Sequence, residues 1–171
     1  AFGGRVMGDA KPKYLNSPQS ALFDKSRLLY GLDKARKSIR KEDQVVIVEG
    51  YMDVIGLYQA GFTNAVSPMG TALNEYQFKQ LKRYTRRIVL ALDPDAAGQK
   101  ATLRGLELAR QSLDHSAEIT AGAEGIFDSR GLVRYEARLE ADLRITTLPE
   151  GKDPDEIALE DPEAWTRILG E

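Results

Sequence analysis

Two short apolar runs constrain the fold of this chain more than any other feature. Val45-Val46-Ile47-Val48 and Ile88-Val89-Leu90-Ala91-Leu92 contain no polar residue, and each stops on an acid, Glu49 and Asp93. Runs of four or five residues rich in β-branched side chains suit strands buried on both faces, as in a parallel sheet covered by helices. The intervening segments support this. Val54, Leu57 and Tyr58 mark a short helix ending at Gly61, followed by a brief strand at Ala65-Val66. A helix is expected over 74–84, with Leu73, Gln77, Leu81 and Tyr84 on one stripe. Another is expected over 96–113, with Leu103, Leu106, Ala109 and Leu113 inward. This succession predicts an α/β fold with a parallel sheet flanked by helices.

The flanking parts are less regular. Residues 1–6 look like the end of a strand and 9–18 like a loop. Residues 24–40 read as one helix with Leu28, Leu32, Ala35 and Ile39 on its apolar face, capped by Asp24 or Ser26. Over 116–141 the rhythm breaks. Val133, Tyr135, Ala137 and Leu139 alternate with charged residues, and 128–131 resembles a hairpin turn, so an antiparallel elaboration is expected there. Residues 143–148 return to the main sheet and 154–169 close the chain as helix. The expected division is a partial N-terminal subdomain over 1–41, a main domain over 42–157 containing the 116–141 insertion, and a helical segment over 158–171.

Composition excludes several classes of site. The 171 residues include no cysteine and one histidine, so disulfides, thiolate zinc sites and His-rich metal sites are ruled out within the chain. Its apolar runs are too short to span a bilayer, and no signal peptide opens it; a cytoplasmic protein without membrane partners is the expectation. The net charge of -2 conceals a division: Lys and Arg dominate 5–40, and acids dominate 136–171. That pattern suits an enzyme with a basic groove and an acidic metal site, and equally an ordinary variable surface.

Three acidic groups follow strands: Glu49 with Asp53, Asp93 with Asp95, and Asp153 with Asp155. Carboxyl ends of parallel strands lie along one edge of a sheet, where ligands bind. Carboxylates gathered there repel one another unless cations intervene, and hard oxygen donors select Mg2+ or Mn2+. Asp53 is read equally well as a helix cap. Glu49, placed directly after four apolar residues, reads as a buried carboxylate in need of a partner.

The order Glu49-Gly50-Tyr51-Met52-Asp53, Ser67-Pro68-Met69-Gly70-Thr71, Asp93-Pro94-Asp95-Ala96-Ala97-Gly98 and Asp153-Pro154-Asp155 resembles the TOPRIM module of primases, topoisomerases and some nucleases. The flanks Phe2-Gly3-Gly4-Arg5, Lys13-Tyr14-Leu15-Asn16-Ser17 and Leu29-Tyr30-Gly31-Leu32 narrow the resemblance to bacterial DnaG-type primases. It runs from Phe2 to about Glu156 and is weakest over 116–141. It departs from the family at Pro94, where many members have glycine, and in the longer connection over 116–141.

The resemblance implies a nucleotidyltransferase that makes RNA primers on single-stranded DNA from ribonucleoside triphosphates. It implies Glu49, Asp93 and Asp95 as main ligands of two or more Mg2+ or Mn2+ ions, with Asp53, Asp153 and Asp155 completing the cluster. Arg5, Lys13, Asn16 and Lys25 would grip template and nucleotide, and Gly70 and Thr71 would lie beside the nucleotide phosphates. Tyr51 is read as a packing residue. Zinc and the replicative helicase are expected to engage domains outside this chain, which alone is expected to make little primer. Other readings are a TOPRIM nuclease or topoisomerase fragment, a noncatalytic metal and nucleic-acid-binding module, and a phosphotransferase using Asp93 as nucleophile.

Overall fold

The computed structural model describes residues 2–8, 11–12, 14–69, 73–92, 107, 142–149 and 151–170. The helix expected over 96–113 and the hairpin expected over 116–141 lie outside the described residues. So do Lys13, Gly70, Thr71, Asp93 and Asp95.

The chain opens with an antiparallel pair, β1 (Gly3–Arg5) and β2 (Tyr14–Asn16), in register Gly4 to Leu15. Part of the segment read as a loop is therefore strand. Both strands are mostly exposed and carry little apolar alternation, which leaves no periodic signal to read. The main sheet has five strands: β3 (Leu29–Tyr30), β4 (Val45–Ile47), β5 (Ala65–Pro68), β6 (Arg87–Leu92) and β7 (Asp142–Thr147). Their spatial order is β3-β5-β4-β6-β7. β5, β4, β6 and β7 run parallel, and β3 is an antiparallel edge strand, so the sheet is mixed.

The helices are α1 (Leu32–Glu42), α2 (Tyr51–Gln59), α3 (Glu75–Leu81), α4 (Pro154–Glu160) and α5 (Pro162–Gly170). The single helix expected over 24–40 is divided. Gly31, at φ +81°, turns the chain between β3 and α1, and neither Asp24 nor Ser26 caps the helix. A β-carbon at Gly31 would also stand 2.9 Å from Val54 Cγ1. Leu28 and Leu32 continue the helical spacing of Ala35 and Ile39, which makes the break invisible to periodicity. Only Ala35 and Ile39 of that stripe are buried on the helix. Asp24 instead accepts a hydrogen bond from the Ser26 backbone at 2.9 Å and closes a turn.

Alternation along the central strands builds two cores. Val45 and Ile47 of β4, with Ile88 and Leu90 of β6, pack against α1 and α3 through Ile39, Phe78 and Leu81. Val46, Val89 and Ala91 face the other way, against Val54 and Leu57 of α2, Ile157 of α4 and Trp165 of α5. This is why these runs contain no polar position. The stripe expected on α3 is in place, and Gln77 within it is fully buried. Its amide donates to the Leu28 carbonyl at 2.8 Å, while its side-chain oxygen accepts from Asn74 N at 3.2 Å, which satisfies a buried polar group. The closing helix is two helices: the Asp161 carboxylate accepts from Glu163 N and Ala164 N at 3.1 and 2.9 Å and starts α5. Among the described residues, no helix is long and apolar enough to cross a membrane.

Candidate metal centre

The carboxyl edge of the parallel strands carries the acids. β4 leads through buried Val48 to Glu49 and Gly50, and α2 begins at Tyr51. The Ser67 hydroxyl, fully buried at the end of β5, donates to the Glu49 carbonyl at 2.7 Å and fixes that backbone against its neighbouring strand. The Glu49 side chain is exposed, which corrects the expectation of a buried carboxylate. The residue stands beyond the sheet edge, where the apolar layer ends.

Asp53 lies in the first turn of α2 and accepts from the Gly50 backbone N–H at 2.9 Å. The helix-capping reading of Asp53 is therefore correct. It does not exclude a second role, because one carboxylate has four lone-pair sites. Past β7, the chain turns at Gly151 and enters α4 with Asp153 at the N-cap, Pro154 in the first helical position and Asp155 after it. Ligand oxygens of Asp53, Asp153 and Asp155 lie within 4.8 Å of one another. Two segments a hundred residues apart in sequence thus deliver three carboxylates to one point.

The approach depends on Gly56. It is buried on α2, and a β-carbon there would stand 2.3 Å from Asp155 Cβ and 2.7 Å from its Oδ2. Glycine lets α4 lie close enough for Asp155 to join Asp53. Sequence reading missed this residue; a glycine inside an otherwise ordinary helical stretch was the available signal. Burial holds the Asp155 carboxyl above the usual carboxylate range, and the charges of Asp153 and Glu156 push the same way, against its backbone hydrogen bonds. The N-termini of α2 and α4 partly offset the repulsion. Three mutually repelling oxygen donors, two of them half-buried (Asp53, Asp155) and one exposed (Asp153), fit a hard divalent cation.

An aromatic file runs from this edge to the N-terminal strands. Tyr51 packs against Tyr14 edge-on and against Tyr30 at a tilt, both with ring centroids 5.6 Å apart. The Arg5 guanidinium lies 5.7 Å from the Tyr14 ring centroid. Tyr51 thus serves in packing, as its sequence setting suggested. A β-carbon on Gly3 would meet Asn16 Oδ1 at 3.2 Å and the Tyr51 ring at 3.6 Å, so β1, Asn16 and the start of α2 are in close contact. Lys25 is half-buried in a segment tied to α3, where the Asn74 amide donates to the Ser26 carbonyl at 2.7 Å. A cavity of about 870 Å³ lies beside Tyr51, lined by Phe2, Phe23, Leu28, Tyr30 and Tyr58 among others, and contains none of the three clustered acids.

A mixed α/β sheet with acids gathered at its carboxyl edge is the architecture of a Toprim domain, and the Toprim domain family matches residues 43–121. The N-terminal domain of the DNA primase catalytic core matches residues 1–36. The chain belongs to the DnaG-type DNA primase family. A DNA primase from Clostridium acetobutylicum is 43% identical over 169 residues, 98% of this chain and 24% of that protein. A solved DNA primase domain from Pseudomonas aeruginosa matches with TM-score 0.76 and 38% identity, covering 99% of this chain and 46% of that one. A DnaG primase catalytic domain solved bound to ssDNA matches with TM-score 0.75 and 33% identity, covering 98% and 47%. The chain spans about a quarter of the length of the Clostridium relative and under half of these solved chains.

Proposed function

We propose that this chain is the metal-binding catalytic segment of a DNA primase, which makes short RNA primers on a single-stranded DNA template. The observation that carries this reading is the convergence of Asp53, Asp153 and Asp155 at the carboxyl edge of the sheet. In the reaction, a ribonucleotide 3′-hydroxyl attacks the α-phosphate of an incoming ribonucleoside triphosphate. The new O–P bond forms as pyrophosphate leaves. No protein nucleophile is required.

Glu49, Asp93 and Asp95 are assigned as the main holders of Mg2+ or Mn2+, with Asp53, Asp153 and Asp155 completing the set. A divalent cation bound there supplies neutralisation of the triphosphate and lowers the pKa of the attacking hydroxyl. Residues 1–41 form the template side. Arg5 and Lys13 attract the phosphate backbone, and Asn16 and Lys25 orient template and nucleotide. Gly70 and Thr71 are assigned to contact with the nucleotide phosphates. The aromatic file from Tyr14 through Tyr51 supports this division, because it ties β2, and through the Arg5 guanidinium on Tyr14 also β1, to the helix that carries Asp53. Zinc and the replicative helicase are assigned to other parts of the longer protein.

Priming by the catalytic core to which this segment belongs tests the reading. With labelled ribonucleotides, Mg2+ and single-stranded template, Glu49→Gln is expected to lower primer synthesis by about 10²-fold or more, the scale of removing one electrostatic group from such a site. Wild-type synthesis by that variant would overturn it. The isolated chain is expected to bind metal and make little primer, because positioning by the rest of the core contributes to rate.

A further inference from the structure

The acids occupy one edge of the sheet, and an unpaired basic face occupies the other. Helix α1 carries Lys34, Arg36, Lys37, Arg40 and Lys41 within eleven residues, all exposed. The Ser38 hydroxyl meets the Thr63 hydroxyl at 2.6 Å, and Thr85 donates to Asp43 at 2.9 Å. Thr63 precedes β5 and Thr85 precedes β6, so the second half of α1 lies at the amino edge of the parallel strands. Exposed Arg83 and Arg86 flank the Tyr84-Thr85 turn at that edge. The Arg40 guanidinium sits 5.0 Å from the Tyr84 ring centroid, and both border a cleft of about 390 Å³ with Lys34, Arg36, Lys37 and one acid, Asp33.

Two observations mark this face as a binding surface. None of the five α1 cations forms an ion pair among the described residues, whereas Lys79, Arg144, Lys152 and Arg167 each do. Arg36 with Arg40, and Lys37 with Lys41, also stand at i, i+4, a like-charge spacing that destabilises an isolated helix. Asp33, at the start of the helix, and Glu42 and Asp43, at its end, are the nearby acids in sequence, and Asp43 is engaged by Thr85. A polyanion would relieve the repulsion. Lys34 to Lys41 covers about 10 Å of helix axis, enough to meet two or three successive phosphates. Stacking on Tyr84 holds the Arg40 guanidinium with its N–H edge free to donate.

We propose that the amino-edge face of α1 and the 83–86 turn is a second DNA contact, which holds the phosphate backbone of single-stranded DNA away from the metal edge. The choice of nucleic acid over an acidic protein rests on membership of the DNA primase family; the surface itself does not depend on the metal assignment.

Anisotropy of a fluorescent oligodeoxythymidine, titrated with the chain across a salt series in EDTA, tests the proposal. The variant Lys37→Glu/Arg40→Glu/Lys41→Glu is expected to bind at least about tenfold more weakly, and its log–log salt slope to fall by about two units for three lost contacts. A control, Lys79→Glu/Arg144→Glu/Arg167→Glu, changes net charge equally and is expected to lose much less. Equal losses in both variants overturn the proposal, as does wild-type binding by the first. Loss confined to Arg5→Glu/Lys25→Glu overturns it while leaving the template reading intact. Intact DNA binding with lost binding of polyglutamate would give the face to an acidic protein, also against the proposal. If charge reversal impairs folding, Lys37→Gln/Lys41→Gln is the milder variant, with an expected slope loss of about 1.4.

Discussion

Replacing Gly56 by alanine sets two familiar effects against each other. Alanine is the better helix former, by about 0.8–1 kcal/mol. The added β-carbon, however, would fall 2.3 Å from Asp155 Cβ, 2.7 Å from Oδ2 and 3.0 Å from Cγ. Carbon atoms pack at about 3.5–4 Å, so α4 must retreat from α2 by more than about 1 Å. The nearest clash is at Asp155 Cβ, which cannot swing aside as a side-chain end can. Overpacking of this kind costs about 1–3 kcal/mol, and the upper part of that range applies here. The net expectation is a loss of about 1–2 kcal/mol. In a chain of this size that lowers Tm by about 2–8 °C. Thermal unfolding followed by circular dichroism, with and without Mn2+, reads both consequences. The apo Tm should fall. The rise in Tm on adding Mn2+ should shrink as well, because Asp155 is carried away from Asp53 and a weaker ligand stabilises less at equal concentration. An unchanged or higher Tm with an undiminished Mn2+ response would refute the close approach of α2 and α4.

Three further outcomes are expected. The Asp155 carboxyl is raised by burial and by the charges of Asp153 and Glu156, so its contribution to stability is full below its unfolded pKa and lost as pH rises through the folded one. Asp155→Asn should therefore gain stability over wild type in metal-free buffer as pH rises from acid to neutral; a pH-independent difference in urea midpoints would contradict this. Asn74 accepts from Gln77 N at 3.1 Å at the start of α3 and donates to Ser26, so Asn74→Ala should cost about 1–2 kcal/mol in urea unfolding, and an unchanged midpoint would show that neither bond matters. Arg5→Ala, and Lys13→Ala likewise, should each weaken binding of single-stranded DNA and lower its salt slope by about 0.7; wild-type slopes in both would place the template groove elsewhere.

The parts of the fold visible in sequence are those where burial imposes a pattern. β4 and residues 88–92 of β6 are covered on both faces and contain only apolar residues, and Leu73, Gln77, Leu81 and Tyr84, the stripe along and beside α3, are all buried or half-buried. β1 falls within residues 1–6, which read as the end of a strand, whereas β2 is mostly exposed and reads as loop. The merging of β3 with α1 arose because Leu28 and Leu32 keep the spacing of the buried helical residues across Gly31, whose positive φ is the true break. At the site, acids that follow strands were legible because parallel topology sends strand ends to one edge. Asp53 was legible as a helix cap and, through the resemblance, as a neighbour of Asp153 and Asp155; that it fills both places at once depends on how closely two distant helices pack. The same holds for Gly56, whose role appears only when Asp155 is in view. The exposed position of Glu49 corrects an inference drawn from its apolar neighbours in sequence alone.

Calorimetric titration of the chain with Mn2+ tests the convergence of separate acidic segments most directly. The wild-type chain should bind saturably. Asp93→Ala/Asp95→Ala and Asp153→Asn/Asp155→Asn, taken from segments far apart in sequence, should each weaken the same binding by about tenfold or more, the scale of losing supporting groups from a metal site. Wild-type Mn2+ affinity in either pair would contradict the single acidic centre.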